Sequence, residues 1–275
     1  MWSGPARQSL PASGGEGSLS SPLRVASLNL AHGRGEWGHQ IFTSRTSQAG
    51  NITDIAQRLR VANVDIVALQ EADGCSWWNH RANLVAALSD AMGWHTGPRA
   101  SQIRGWGLDY GTALISRGAI HSPRGITWPG VWGTPAKGAI AAEVLMDDRP
   151  VTIVSLHLDP ASKQHRRKQI HSLEQWLANV ETPLIVAGDF NGDWNAPDEA
   201  VRLLASLRHL KPWPLPATTD PTFRWGARLD WILVSDALEI CNPQIDQDAP
   251  SDHALITADI TWKKEVAREE PLSGK

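Results

Sequence analysis

Read for hydrophobic period, the chain alternates short apolar runs with segments of longer repeat. Residues 23–30, 66–69, 111–116, 139–145, 151–158, 184–187, 229–234 and 254–261 have the length and apolar, β-branched content of strands. Segment 51–62 instead places Ile52, Ile55, Ala56 and Leu59 on one helical face. Segment 161–180 does the same with Ile170, Leu173, Trp176 and Leu177, leaving Lys163, Arg166, Arg167 and Lys168 as a basic outer face. Segments 83–92 and 197–207 are shorter helix candidates, the second with Asp198 and Glu199 at its positive start. Asp147-Asp148-Arg149-Pro150 marks a hairpin turn between two strands. Hairpins mixed with strand–helix–strand units predict an α/β protein with mixed rather than purely parallel sheets.

The ends carry no such pattern. Residues 1–22 are rich in Gly, Ser and Pro without an apolar run, which reads as a disordered leader with no secretory signal. Residues 263–275 read as a flexible charged tail, so the folding domain is expected over 23–262. No apolar segment approaches the length of a membrane span, and a cytoplasmic protein is the expectation. The 275 residues are 41% hydrophobic and 20% charged, enough for a sizeable core. A net charge of −3 does not favour nucleic acid as a partner, although a local basic stripe would permit it. Cys75 and Cys241 are too few for a disulfide framework and read as reduced and incidental, with a single bridge left open. Trp is over-represented, 14 against 3 Phe and 1 Tyr. Trp106, Trp128, Trp132, Trp194 and Trp225 fall in segments that read as loops, where exposed indoles would line a cleft or touch a lipid interface.

The polar residues of interest sit where the apolar runs end: Asn29, Gln70-Glu71, Ser155-Leu156-His157-Leu158, Gly188-Asp189-Phe190-Asn191, Asp230 and Ser251-Asp252-His253. Singly, each has an ordinary reading. Asn29 would be a turn residue, Gln70-Glu71 a surface dipeptide, His157 a core histidine, and Asp189 and Asn191 an Asx turn. Six such coincidences in one chain argue for convergence at one pocket, because an apolar strand cannot bury a polar end cheaply without a partner. An oxygen-rich pocket suits a hard divalent cation, Mg²⁺ or Mn²⁺, and no thiolate cluster favours zinc.

In this order, the motifs resemble those of the endonuclease/exonuclease/phosphatase superfamily, and the resemblance runs from about Arg24 to Trp262. Tyr110-Gly111-Thr112-Ala113-Leu114-Ile115-Ser116-Arg117 also resembles a strand that many members carry. The resemblance implies a four-layer α/β/β/α sandwich of two mixed sheets with the site at one rim. It implies Glu71 as the main metal ligand, assisted by Asn29 and Asp252. Asp189 would be the general base, Asn191 a donor to a phosphate oxygen, His157 and His253 phosphate contacts, and Asp230 the orienter of one imidazole. Catalysis would rest on positioning and charge neutralisation, as phosphoryl transfer demands.

The resemblance leaves the substrate open. The His157 version of the third motif looks more like the deoxyribonuclease, sphingomyelinase and phosphatase branches than the abasic-site endonucleases. A small or lipid-derived phosphate ester is the leading expectation, with a nuclease of the same fold second and a non-catalytic binding module third. Tyr110, His32 and Arg166 are candidate substrate contacts. Segment 32–50 (with Arg34 and Arg45) and loop 128–137 are candidate specificity elements. Nothing in the sequence points to a protein partner.

Overall fold

In this computed structural model, which describes residues 4–12, 17–35, 43–131, 133–197, 199–213 and 220–264, each of the eight apolar runs forms a strand. A seven-stranded sheet has the order β1 (Ala6–Ser9), β6 (His121–Trp128), β7 (Lys137–Met146), β8 (Arg149–His157), β9 (Leu184–Asp189), β11 (Asp230–Val234) and β10 (Lys211–Pro212). A six-stranded sheet has the order β12 (Leu238–Asp246), β13 (Leu255–Trp262), β2 (Leu23–Asn29), β3 (Ile66–Gln70), β5 (Leu108–Ser116) and β4 (Arg99–Gly105). Each sheet holds one parallel pair, β8–β9 and β2–β3, among antiparallel neighbours. Both sheets are therefore mixed, as the pattern predicts.

The parallel pairs require crossovers, and helices supply them. Helix α1 (Arg45–Val61) joins β2 to β3, and α3 (Lys163–Trp176) joins β8 to β9. Helices α2 (Leu84–Met92) and α4 (Ala200–Leu207) follow β3 and β9. The side-chain oxygens of Ser44, Asn83 and Ser162 accept backbone N–H groups at the starts of α1, α2 and α3. Val25, Ile66, Ile153, Ile185, Ile232 and Ile256 pack between the two sheets. The outer faces are covered separately, Leu156 and Val186 with Ile170 and Leu204 on one side, Leu28 and Val67 with Ile55 and Leu88 on the other. The result is the four-layer α/β/β/α sandwich.

Several expectations need correcting. The leader is not wholly without structure: Ala6–Ser9 pairs with β6 as an edge strand, and buried Leu19 donates its N–H to Leu145 O. The polar sequence of β1 has no apolar period, so backbone pairing rather than burial makes it a strand. Trp128 lies inside β6, fully buried, and its indole donates to Ser172 Oγ at 3.0 Å. Trp194 is partly buried beside Trp231, whereas Trp106 and Trp225 are exposed. Trp132 and Asp198 lie outside the described residues. Glu199 stands at the start of α4 without a side-chain capping bond. Cys75 and Cys241 are both free thiols.

Gly188 is not a turn residue but an inner position of β9, paired with Leu156 of β8. A Cβ there would meet Leu156 O at 2.1 Å, and its φ of +153° is unfavourable for any side chain. Gly188→Ala must push β9 away from β8. The expected outcome is a loss of unfolding free energy of about 1–3 kcal/mol, the usual cost of overpacking, read as a lower denaturant midpoint. Chemical unfolding of the variant beside wild type checks this.

Candidate active site

Strand direction decides which ends meet. β2, β3, β8 and β9 finish at one rim with Asn29, Gln70, His157 and Asp189. β11 runs antiparallel to β9, so its first residue, Asp230, lies opposite Asp189. β13 runs antiparallel to β2, so Asp252 and His253, just before it, arrive at the same edge. β7 runs antiparallel to β8 and starts there with Lys137. The backbone is strained where the strands stop. Ala31, His32, Glu71 and Asn191 have φ of 46°, 56°, 47° and 48°, a conformation non-glycine residues rarely adopt and one that collects at functional sites.

Asp189 is the centre of the cluster. Its Oδ2 accepts from Asn29 Nδ2 at 3.1 Å and lies 3.4 Å from His157 Nε2 and 3.7 Å from His253 Nε2. Its Oδ1 accepts the Asn191 N–H at 2.9 Å. Burial, with the Asp230 charge behind it, pushes the Asp189 carboxyl up to about 6 against the pull of His253, the Asn191 N–H and Lys137. His253 is held from the other side, its Nδ1 2.9 Å from Asp230 Oδ2. Burial opposes its charge, but Asp230 and Asp189 together raise it to about 10, so the ring is an imidazolium at neutral pH. His157 goes the other way. Burial first, then Lys137 with its Nζ 3.5 Å from Nδ1, depresses it well below its ordinary value, so this ring is neutral.

Glu71 forms the second centre. Its Oε2 is 3.2 Å from His32 Nε2 and its Oε1 3.6 Å from Lys137 Nζ. Burial alone would raise this carboxyl, but His32, Lys137, His157 and His253 hold it far below the usual range, fully ionised. His32 Nδ1 is 2.7 Å from Asp73 Oδ1, and the Trp78 indole donates to Asp73 Oδ2 at 2.6 Å. Although burial disfavours its charge, His32 is raised by Glu71 and Asp73. Tyr110 packs edge-on against the His32 ring, 5.3 Å between centroids; its buried hydroxyl has no hydrogen-bond partner among the described residues.

The structure thus brings together Asn29, Glu71, His157, Asp189, Asn191, Asp230, His253, His32 and Tyr110. Asp252 is adjacent but paired with Arg34, which the sequence suggested as a specificity element. Asn191 donates its amide to Leu158 O at 2.9 Å. Arg166 does not join the site. It is buried, with one guanidinium nitrogen 3.0 Å and 3.2 Å from the two Glu199 oxygens and the other on the Asp159 and Pro160 carbonyls. The helical period misplaced it on an outer face because the covering residue, Glu199, comes from a distant segment. Asp73 and Trp78 escaped the sequence reading, and Lys137 entered it only as the end of loop 128–137. Lys137 sits next to Gly138, the partner of His157, and Asp73 lies two residues beyond Glu71; those were the only signals.

The donor set fits a hard divalent cation at Glu71. The carboxylate is ionised and partly exposed, and the positive groups His32 and Lys137 beside it show that this position attracts cationic charge. Asn29 Oδ1, by contrast, already accepts the Ala31 N–H at 3.0 Å. Asp189, Asp230 and His253 also present ligand atoms within 4.8 Å of one another.

This arrangement is matched by a family model described as Endonuclease/Exonuclease/phosphatase family, over residues 26–253. The chain belongs to that family. Its members hydrolyse phosphate esters and typically use a divalent metal. Solved structures of the same fold include an endonuclease/exonuclease/phosphatase from Bacteroides vulgatus, 18% identical, with a TM-score of 0.70 over 88% of this chain and 99% of that one. The catalytic domain of human Nocturnin, which carries a bound sulfate anion, is 21% identical with a TM-score of 0.67 over 90% and 96%. A mannosyl-6-phosphatase from Bacteroides thetaiotaomicron is 18% identical with a TM-score of 0.59 over 87% and 100%. No curated protein matches the chain. Among the described residues of this family member, no helix is long and apolar enough to cross a membrane.

The His253 shift has a consequence for the metal-free chain. A histidine raised in the folded state contributes stability that is fully present below the unfolded value of 6.5 and lost as pH rises through about 10. In EDTA, His253→Gln should therefore be most destabilising near pH 6–7, by about 3–5 kcal/mol as for a broken buried ion pair. The gap to wild type should close towards pH 10, which denaturant melts across that range would read.

Proposed function

We propose that the chain is a Mg²⁺-dependent phosphoesterase in which water attacks the phosphorus of a small or lipid-derived phosphate ester. The observation that carries this reading is Asp189. It is a buried carboxyl raised to about 6, fixed by Asn29 and the Asn191 N–H, with two imidazoles within 3.7 Å. A carboxyl near neutrality can take a proton from water and still be ionised at pH 7. The water oxygen then forms the new phosphorus–oxygen bond, Asp189 receives the proton, and the ester oxygen departs with its bonding electrons.

Negative charge growing on the phosphate needs cations that do not have to rearrange. The His253 imidazolium, held by Asp230, and Lys137 supply them, whereas neutral His157 offers an N–H or a lone pair. Bound at Glu71, the metal would polarise the phosphate and ease alkoxide departure. Asn29 and Asp252 would complete its polar surroundings through water, and Mn²⁺ would serve the same donor set. Asn191 would serve the phosphate after releasing Leu158 O. The mannosyl-6-phosphatase relative supports a small ester.

A nuclease is the second reading. Trp77, Trp106 and Trp225 are exposed, and such indoles can stack on bases, while the net charge of −3 weighs against a polyanion.

A panel of p-nitrophenyl phosphate, bis-p-nitrophenyl phosphate, inositol phosphates, sphingomyelin, nucleotides and plasmid DNA, assayed with Mg²⁺ and with EDTA, separates these readings. Turnover of a small ester that EDTA abolishes supports the first; steady Asp189-dependent cutting of nucleic acid alone supports the second. Asp189→Asn should lower kcat by about 10²–10⁴-fold, the range for a lost general base, with KM little changed. Glu71→Gln should raise the Mg²⁺ concentration needed for half-maximal rate by at least about tenfold while the chain still folds, with a lower melting temperature in the metal-free chain because His32 and Lys137 lose their counter-charge. Full activity at wild-type Mg²⁺ would remove Glu71 from its role.

A further inference from the structure

Behind Glu71 stands a line of groups that the proposed chemistry does not use. The Trp78 indole donates to Asp73 Oδ2 at 2.6 Å, Asp73 Oδ1 is 2.7 Å from His32 Nδ1, and His32 Nε2 is 3.2 Å from Glu71 Oε2. Each member is held by more than this line. Asp73 is fully buried, and its carbonyl accepts the Leu84 N–H at the start of α2. The His32 ring is wedged edge-on between Trp78 and Tyr110, at 5.2 Å and 5.3 Å between centroids. The backbone carbonyl of His32 accepts from Gln48 Nε2 of α1 at 3.3 Å. Both His32 and Glu71 sit at positive φ, a conformation that persists only where the surrounding structure holds it.

We propose that His32 is a positioning residue for Glu71, oriented in turn by the Asp73 carboxylate and the Trp78 indole. The sequence suggested His32 as a substrate contact, but both its ring nitrogens face carboxylates of this chain. A glutamate side chain has three rotatable bonds and, this close to the surface, would otherwise sample several rotamers. A fixed ring against Oε2 removes that freedom before any cation arrives. Partners of this kind commonly change metal affinity by about 10–100-fold when lost. Asp73 and Trp78 act only through His32, so their effects must depend on its presence.

The inference rests on Glu71 holding a divalent cation, and the test keeps the two apart. Mn²⁺ binding to the full chain is followed by electron paramagnetic resonance, which needs no turnover. It is measured for wild type, His32→Ala, His32→Gln, Asp73→Asn, Trp78→Phe and His32→Ala/Asp73→Asn, alongside thermal melts. Asp73→Asn and His32→Ala should weaken Mn²⁺ by about 10–100-fold and Trp78→Phe by less. His32→Gln, which keeps a donor beside Glu71, should recover most of the affinity. The double variant should bind no worse than His32→Ala alone. Wild-type affinity in Asp73→Asn, simple addition of the two losses, or tighter binding in His32→Ala would each overturn the relay. The last would mean that His32 competes with the cation. Wild type taking up no Mn²⁺ would instead overturn the metal reading of Glu71, and the relay with it.

Discussion

The site exists because two separate sheets are locked together in one register by buried polar side chains. Gln70 of β3 donates to Ser155 Oγ of β8 at 3.0 Å, and Ser155 returns its hydroxyl to the Leu69 carbonyl at 2.8 Å. One step nearer the rim, Asn29 of β2 donates to Asp189 of β9. Ser251 adds a hydroxyl to the Asn29 carbonyl at 2.6 Å, which pins the segment before β13. Slippage between apolar faces would cost little. Here it would strand several donors and acceptors away from water, at roughly 1–3 kcal/mol each. The apolar layer between the sheets supplies adhesion, and this polar seam supplies the alignment that brings Glu71 and His253 from one sheet against His157, Asp189 and Asp230 from the other.

With the rim aligned, neighbours rather than residue type decide each charge. Glu71 and Asp189 are both carboxylates at the edge of the sandwich. Glu71 faces His32 and Lys137 and is driven far into the ionised form, while Asp189 faces Asp230 as well as His253 and is left near neutrality. The imidazoles divide in the same way. His253 lies between two carboxylates and stays charged, and His157 lies beside Lys137 and stays neutral. A pair pushed up and a pair pushed down provide a strong anion for a cation, a base near pH 7, a fixed positive charge and a neutral ring.

How much of this the chain announces depends on the range of the interaction responsible. The buried strands were legible because both their faces are apolar, and α3 because its period holds over several turns. The edge strands β1, β4 and β12 carry exposed and half-buried polar residues and owe their form to a neighbour's backbone, which no local pattern records. The strand-end residues could be named from sequence, but their company could not. Lys137 reads as an ordinary loop-end lysine until β7 is laid against β8. Asp73 and Trp78 read as surface residues until the turn after β3 folds back under His32. Arg166 shows the converse error, since its burial depends on Glu199 from 33 residues further along.

The division of labour also explains why family membership says less about substrate than about reaction. The groups that the proposed reaction places on the phosphate are fixed by paired strands and a buried seam, so they move only if the sandwich moves. Groups that could read the rest of a substrate stand on turns. Trp106 is at the tip of the β4–β5 hairpin, Trp77 is tied to it by its backbone N–H on the Gly107 carbonyl, and Trp225 packs edge-on against Phe223, which in turn lies tilted against His253. All three indoles are exposed to water, and Trp225 reaches the surroundings of His253 through Phe223. The turn that carries Trp225 is itself tied to the site, since Phe223 bridges His253 and the Arg224 N–H donates to the Asp252 carbonyl. Under the proposed reaction, the chemistry would depend on the register between the two sheets, and the rest of the substrate would be met by the turns at the rim.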